Sequence, residues 1–211
     1  FDAMGALYIA DGHHRSAAAS RVAAARRGKG RPESSEHFLA VIFPARQMRI
    51  MDYNRVVRDL NGLAPDAFLA RVGEHFAVIP PVDRVHPEKP GVVGMYLAGR
   101  WYRLEIDPAL VPTSDPVRRM DVSLLSEQLL EPVLGISDLR RDKRIDFVGG
   151  IRGLGELERR VDSGEMAVAF ALHATQMSDL MAVADSGEVM PPKSTWFEPK
   201  LADGLVSHIL D

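Results

Sequence analysis

The sequence has no cysteine, no long apolar run and no excess of positive charge. The lack of cysteine excludes disulfide bonds, thiolate chemistry and cysteine-ligated zinc, and it is compatible with the cytoplasm, where we expect the protein to be. No apolar stretch approaches the roughly 18 residues that span a membrane, so we expect no membrane partner. The net charge of −3 argues against non-specific affinity for nucleic acid, and we expect no DNA partner.

The remaining composition is that of an ordinary globular protein. The 211 residues are 46% hydrophobic and 26% charged, which is enough to bury an ample core. We predict a single α+β unit over residues 1–211, and the proline-rich stretch near 108–116 offers a subdivision into residues 1–110 and 117–211. A homo-oligomer is compatible with this composition.

The stretch Leu7–Ser16 carries the strongest functional signal. A short apolar run passes at Gly12 into an alanine-rich segment that is typical of a helix ending at Gly28. The turn between them contains one carboxylate, two imidazoles and one guanidinium, in Asp11–Arg15. Helix N-termini present unpaired N–H groups and roughly half a positive charge, so this turn predicts an anion site, with phosphate the favoured anion.

A structural interpretation of the same turn stays open. Asp11 would then be an N-cap that accepts from the backbone near His14, and Arg15 would lie on the surface. The two consecutive histidines beside an arginine favour the binding site over this alternative.

Strand-like and helix-like segments are mixed along the rest of the chain and do not alternate strictly, which favours mixed sheets with flanking helices. The apolar run Phe38–Pro44 predicts a buried strand, and Val92–Leu97 with Trp101–Ile106 predicts the clearest hairpin. Arg55 and Asn54 follow a strand-like run and are candidates for a strand end that faces the same site; a solvated surface arginine is the commoner outcome for such a position.

The proline-rich segment Met190–Lys200 is the second unusual stretch. Lys193, Ser194 and Thr195 in this segment could close over a phosphate-bearing ligand, and a packed loop whose aromatics fill a groove is an equal alternative. His173 follows a buried strand and is interpreted as a core-edge histidine.

With these residues in view, the chain resembles the family called domain of unknown function 1015. The resemblance rests on Tyr8–Arg15, on Met51–Val57, and on Met190–Lys200 with Gly204–Val206. Family members extend further at the N-terminus, and the chain starts without methionine, so we expect a C-terminal part of a longer protein.

More distantly, the Asp-Gly-His-His-Arg turn resembles the signature of the ParB/sulfiredoxin superfamily, which includes an ADP-dependent free-serine kinase. The resemblance implies a ParB/sulfiredoxin-like element at the turn, with phosphates on Gly12, His13, His14 and Arg15 and a metal-side or general-base carboxylate at Asp11. The essential cysteine of sulfiredoxin and the helix-turn-helix of partition proteins have no counterpart here.

Together these observations lead to a nucleotide-dependent phosphotransferase that acts on a small hydroxyl compound, such as a hydroxy amino acid. Mg²⁺ with ATP or ADP are the expected cofactors. Asp11 and His13 are the candidate catalytic residues, and Asp11 is the candidate metal ligand. The candidate phosphate-binding residues are Gly12, His13, His14, Arg15, Ser16, Arg55, Lys193, Ser194 and Thr195. The alternative is a non-catalytic, nucleotide-binding regulatory module of ParB-like type.

Overall fold

The computed structural model describes residues 3–29, 33–80, 83–202 and 204–210. The chain divides into two compact units, residues 1–49 with 197–211, and residues 50–196. Within the described part, every helix is too short or too polar to cross a membrane. Whether the chain behaves as a single unit over residues 1–211 stays a prediction.

The described helices and strands combine both classes of element throughout the chain. The α-helices are α1 (His13–Arg26), α2 (Pro65–Val72), α3 (Asp121–Leu125), α4 (Leu154–Asp162) and α5 (Met177–Asp185). The strands are β1 (Arg49–Met51), β2 (Tyr53–Val57), β3 (Phe76–Ile79), β4 (Val92–Leu97), β5 (Arg100–Ile106), β6 (Ile145–Gly149), β7 (Val168–Leu172) and β8 (Trp196–Glu198).

The unit formed by residues 50–196 is built on a six-stranded sheet in the order β3-β5-β4-β7-β2-β6. All of its neighbouring strands run antiparallel. Buried apolar side chains form one large cluster and one smaller cluster, and α4 packs on β7 and β4 in the smaller one. A separate two-stranded sheet pairs β1 with β8. The predicted α+β class is confirmed.

The predicted hairpin is present as β4 and β5, with Leu97 opposite Arg100. Its two turn residues, Ala98 and Gly99, both have positive φ (48° and 77°), which is the backbone of a type I′ turn and matches the twist of the strands. Every residue of β4 is buried, so this strand lies inside the sheet. Two strand-like runs joined by a short turn were therefore sufficient to predict this part of the fold.

The prediction of a buried strand at Phe38–Pro44 is wrong. Residues 37–44 form no strand, and Phe38 and Ile42 are 53% and 48% exposed. A strand needs a neighbour that satisfies its N–H and C=O groups, and the described residues provide none for this segment. An apolar run indicates a preference for burial but says nothing about whether a partner strand is present.

Candidate functional site

The turn at residues 11–15 leads into α1 in the way the sequence predicts. Gly12 is the N-cap residue of α1 and has a φ of +85°, a left-handed conformation that glycine adopts without a steric penalty. Gly12 has no side chain with which to cap the helix, and no other side chain among the described residues is seen to accept from the N–H groups of its first turn. At the other end, Gly28 with a φ of +74° follows the helix.

The capping alternative for Asp11 is wrong. Asp11 Oδ1 accepts a hydrogen bond of 2.8 Å from the N–H of its neighbour Gly12, one residue before the helix. This contact orients the carboxylate at the turn and leaves the first helical turn uncapped. Asp11 therefore lies beside the N-terminus of α1 without blocking it.

Arg15 folds back over the turn. A Cβ placed on Gly12 would lie 3.0 Å from Arg15 Nη2 and 3.2 Å from Nε, so the guanidinium lies directly against this glycine. The side chains of His13 and His14 are exposed, as is Arg15. Ser16 donates its backbone N–H to the Gly12 carbonyl at 2.9 Å and is half-buried. The turn thus presents a guanidinium and two accessible imidazoles beside uncapped N–H groups.

The electrostatics around Asp11 favour its charged form. Burial raises the pKa of this carboxyl, but the Gly12 hydrogen bond and the positive charges of Lys200 and Arg15 outweigh it and lower the pKa below 3.8. Lys200 Nζ lies 3.4 Å from Asp11 Oδ2. A carboxylate with a lowered pKa is a weak proton acceptor and a good ligand for a hard cation.

Among the described residues, no group of three or more histidine, aspartate or glutamate side chains is arranged to hold a metal ion. Mg²⁺ is commonly bound by one or two carboxylates together with substrate phosphates and water. A single carboxylate such as Asp11 is compatible with a metal ion that arrives bound to phosphates, and a metal role for Asp11 stays a prediction.

Arg55 belongs to the unit formed by residues 50–196. It lies inside a strand and not at the strand end that the sequence suggested. It is the third residue of β2, between β6 and β7, and it is fully buried. Its guanidinium donates to the carbonyl of Tyr53 and, at 2.9 Å, to the carbonyl of Lys193. Burial lowers the pKa of Arg55 to about 9. Arg55 thus fastens the segment containing Lys193 to the sheet.

The side chain of Lys193 rests on aromatic rings. Its Nζ lies 5.7 Å from the centre of the Tyr53 ring and 5.8 Å from that of Phe147, within the range of cation–π attraction. Trp196 meets Tyr53 edge to face with centroids 5.4 Å apart. The packing of Trp196 agrees with the interpretation as a packed loop; Lys193 is exposed, and its closure over a phosphate-bearing ligand stays a prediction.

Ser194 and Thr195 differ in exposure. Ser194 is 5% exposed, and its carbonyl accepts from the Thr175 hydroxyl at 2.8 Å, which fixes the segment a second time. Thr195 is half-buried. The structure therefore brings Arg55, Lys193 and Ser194 together within one unit. The Asp11–Arg15 turn belongs to the other unit and is described by itself, so the shared phosphate site stays a prediction.

Asn54, which the sequence suggested at a strand end together with Arg55, lies within β2 and contacts Asp52 just before it. Asn54 is fully buried, donates to Asp52 Oδ2 at 2.6 Å and accepts from the Leu172 N–H at 2.9 Å. Asp52 also helps to set the environment of His173, whose pKa is lowered by burial and only partly restored by nearby carboxylates. The one available signal was a polar Asp-Tyr-Asn-Arg sequence entering an otherwise buried strand.

The fold is similar to that of free serine kinase. The chain superposes on the structure of free serine kinase in complex with AMP with a TM-score of 0.50, at 17% sequence identity over 90% of this chain and 66% of that chain. A variant of free serine kinase in complex with ADP gives a TM-score of 0.46 at 16% identity over the same shares. The chain thus spans about two thirds of the kinase, and the likeness concerns the fold.

The sequence itself identifies the family. The family described as protein of unknown function (DUF1015) matches residues 1–123, more than half of the chain. The chain belongs to this family, as the resemblance predicted; the match includes the turn and Met51–Val57, and the segment Met190–Lys200 lies outside it. A comparison with curated proteins gave no match.

Proposed function

We propose that this chain binds an adenine nucleotide through the Asp11–Arg15 turn and belongs to a small-molecule phosphotransferase. The observation that carries the proposal is the uncapped N-terminus of the 14-residue helix α1, with the Arg15 guanidinium lying against its N-cap glycine. Uncapped N–H groups, a helix dipole and a guanidinium together favour a phosphate group. The similar fold of a kinase bound to AMP supports this choice of ligand.

Each residue of the turn has a distinct role in this proposal. Gly12 allows the backbone to approach the phosphate, and Arg15 supplies a bidentate donor. His13 and His14 add exposed ring nitrogens that can donate to phosphate oxygens. Asp11 would hold Mg²⁺ against the phosphates, where the ion neutralises charge during transfer. Ser16 contributes its side chain at the edge of the turn.

The acceptor in this proposal is a small molecule with a hydroxyl group, for which a hydroxy amino acid is our first choice. Phosphoryl transfer depends on positioning and charge neutralisation more than on covalent chemistry. Its hydroxyl proton needs an acceptor, and His13 is the better candidate because the lowered pKa of Asp11 makes that carboxylate a weak base. Direct phosphate contacts from Arg55, Lys193, Ser194 and Thr195 stay predictions.

The first test is calorimetric titration with AMP, ADP and ATP, with and without Mg²⁺. We expect Arg15→Ala to weaken binding by about 1.5–3 kcal/mol, because it removes a charge-assisted phosphate contact. Arg15→Lys keeps the charge and should lose part of this energy. Arg21→Ala lies on the same helix, away from its N-terminus, and is the matched control. Equal affinities for the Arg15→Ala and Arg21→Ala proteins would remove the turn from the nucleotide site.

The lowered pKa of Asp11 makes this carboxylate a weak base. A weak base is a poor acceptor for a hydroxyl proton, which favours a second candidate, a regulatory module of ParB-like type that binds nucleotide without turnover. The two candidates differ in the effect of Asp11→Asn, measured as nucleotide affinity and as phosphate transfer to hydroxy amino acids. A phosphotransferase should keep most of its nucleotide affinity and lose transfer. Binding that needs Asp11, with no transfer by the parent protein to any acceptor, would favour the regulatory module.

A further inference from the structure

The unit formed by residues 50–196 contains a buried positive charge without a matching acid. Arg55 is fully buried, its hydrogen bonds go to backbone carbonyls, and its Nε has no partner. Arginines in protein interiors are normally paired with carboxylates, because an unpaired buried charge is costly. This same unit follows that rule at Arg160, which is 9% exposed and pairs with Asp146 at 2.7 Å and with Glu165.

A second cation lies close to the first. The guanidinium carbon of Arg55 is 5.6 Å from the centre of the Phe147 ring, and the Lys193 ammonium is 5.8 Å from the same centre. Among the described residues, no carboxylate forms an ion pair with either cation. Two positive charges therefore share one aromatic ring, and Lys193 is the one that solvent can reach.

The loop is fixed in the conformation that holds Lys193 in place. Arg55 donates to the carbonyl of Lys193 itself, and Thr175 donates to the carbonyl of the next residue, Ser194. Lys193 has a φ of +57°, a left-handed conformation that is uncommon for a residue with a side chain. The ammonium is thus presented from a fastened loop and not from a freely moving one, which reduces the entropy lost on binding.

We infer that Lys193, supported by Arg55 beneath it, forms an anion-binding site for the carboxylate or phosphate group of a small ligand. The Lys193 ammonium contacts the anion, and Arg55 is a positioning residue that also contributes its charge across Phe147. The rings of Tyr53 and Phe147 limit access of water on one side, which strengthens the attraction. This site develops the phosphate contacts proposed above for Lys193 and Arg55, and its test reads the Lys193 signal without requiring nucleotide binding at the Asp11–Arg15 turn.

The test is an NMR titration of the full chain carrying ¹³C-dimethylated lysines, which keep their positive charge. Inorganic phosphate is added in one series and succinate in another, at constant ionic strength. We expect the Lys193 signal to shift and saturate, while Lys89 and Lys143, which are exposed, stay unchanged. The series with the tighter binding identifies the source of the anion as phosphate or carboxylate.

Variants then distinguish anion binding at Lys193 from a non-specific attraction of anions to positive charge. Calorimetry should show at least a roughly tenfold loss of affinity for the preferred anion in Lys193→Met, and no loss in Lys143→Met. Phe147→Leu removes the shared ring without touching either cation and should also weaken binding. The Lys193 signal reports binding at this site alone, so failure of the nucleotide proposal would not affect the result. Equal shifts of all lysine signals, or full competition by chloride, would overturn the inference.

Discussion

Asp121 gives the sharpest test of the electrostatics within the described structure. It begins α3, and its Oδ1 accepts a 2.8 Å hydrogen bond from the Gly91 N–H. Burial raises the pKa of this carboxyl from 3.8 to about 6; the Gly91 hydrogen bond opposes the change and the charge of Asp179 adds to it. Asp179 is itself paired with Arg119 at 3.1 Å.

The sign of the pH effect follows from proton binding. Between pH 4 and pH 6 the folded protein holds a proton on Asp121 that the unfolded chain has lost. The stabilising contribution of protonated Asp121 is therefore complete below pH 3.8 and lost as the pH rises through 6. The separation of the two pKa values corresponds to about 3 kcal/mol as an upper limit.

Asp121→Asn removes this ionisation and keeps an oxygen that can accept from Gly91. We expect the variant to match the parent protein near pH 4 and to exceed its free energy of unfolding by about 2–3 kcal/mol at pH 7. Urea unfolding followed by circular dichroism at intervals between pH 4 and pH 7 measures the difference, in which contributions from other carboxylates cancel. Asp66→Asn, an exposed aspartate in the first turn of α2, is the control.

The reasoning has a clear point of failure. A difference between the variant and the parent that stays constant from pH 4 to pH 7 would show that Asp121 has no raised pKa. A variant less stable than the parent at pH 7 would show that the charged carboxylate stabilises α3. Either result would refute the assigned role of burial.

Two further predictions concern the packing around β2, and both are measured by urea unfolding. Asn54→Ala should destabilise the protein by about 2–4 kcal/mol, because it leaves Asp52 and the buried Leu172 N–H without their partners; a loss below about 1 kcal/mol would contradict this. Gly150→Ala should cost about 1–3 kcal/mol, because its Cβ would lie 1.9 Å from Asp52 Oδ1. Gly155→Ala, where nothing lies within 4 Å, is the control and should not destabilise.

The parts of the fold that were predictable from sequence are those whose cause is local. The β4–β5 hairpin follows from two strand-like runs and a short turn between them, and α1 follows from an alanine-rich run between Gly12 and Gly28. The segment 38–44 carries an equally strong apolar signal and forms no strand, because pairing depends on residues that the run itself does not specify.

In the candidate site, too, local features could be predicted from the sequence and contacts between distant segments could not. The sequence located the start of α1 and the unusual turn there, but it did not reveal that Asp11 contacts the N–H of Gly12. It placed Arg55 at a strand end, whereas Arg55 lies within β2 and its hydrogen bond reaches across 138 residues to Lys193. Contacts between residues so distant in sequence leave no periodic trace in either segment.

The position of β2 has a consequence for the order in which the sheet can form. Arg55 lies opposite Phe147 on one side and opposite Phe170 on the other, so both neighbours of this strand come from much later in the chain. During synthesis, neither edge of β2 can form its hydrogen bonds until β6 has left the ribosome, and the second edge stays unpaired until β7 follows. Such non-local pairing slows folding, and nascent chains halted before β6 would expose Val56 and Val57 to aggregation or to chaperones.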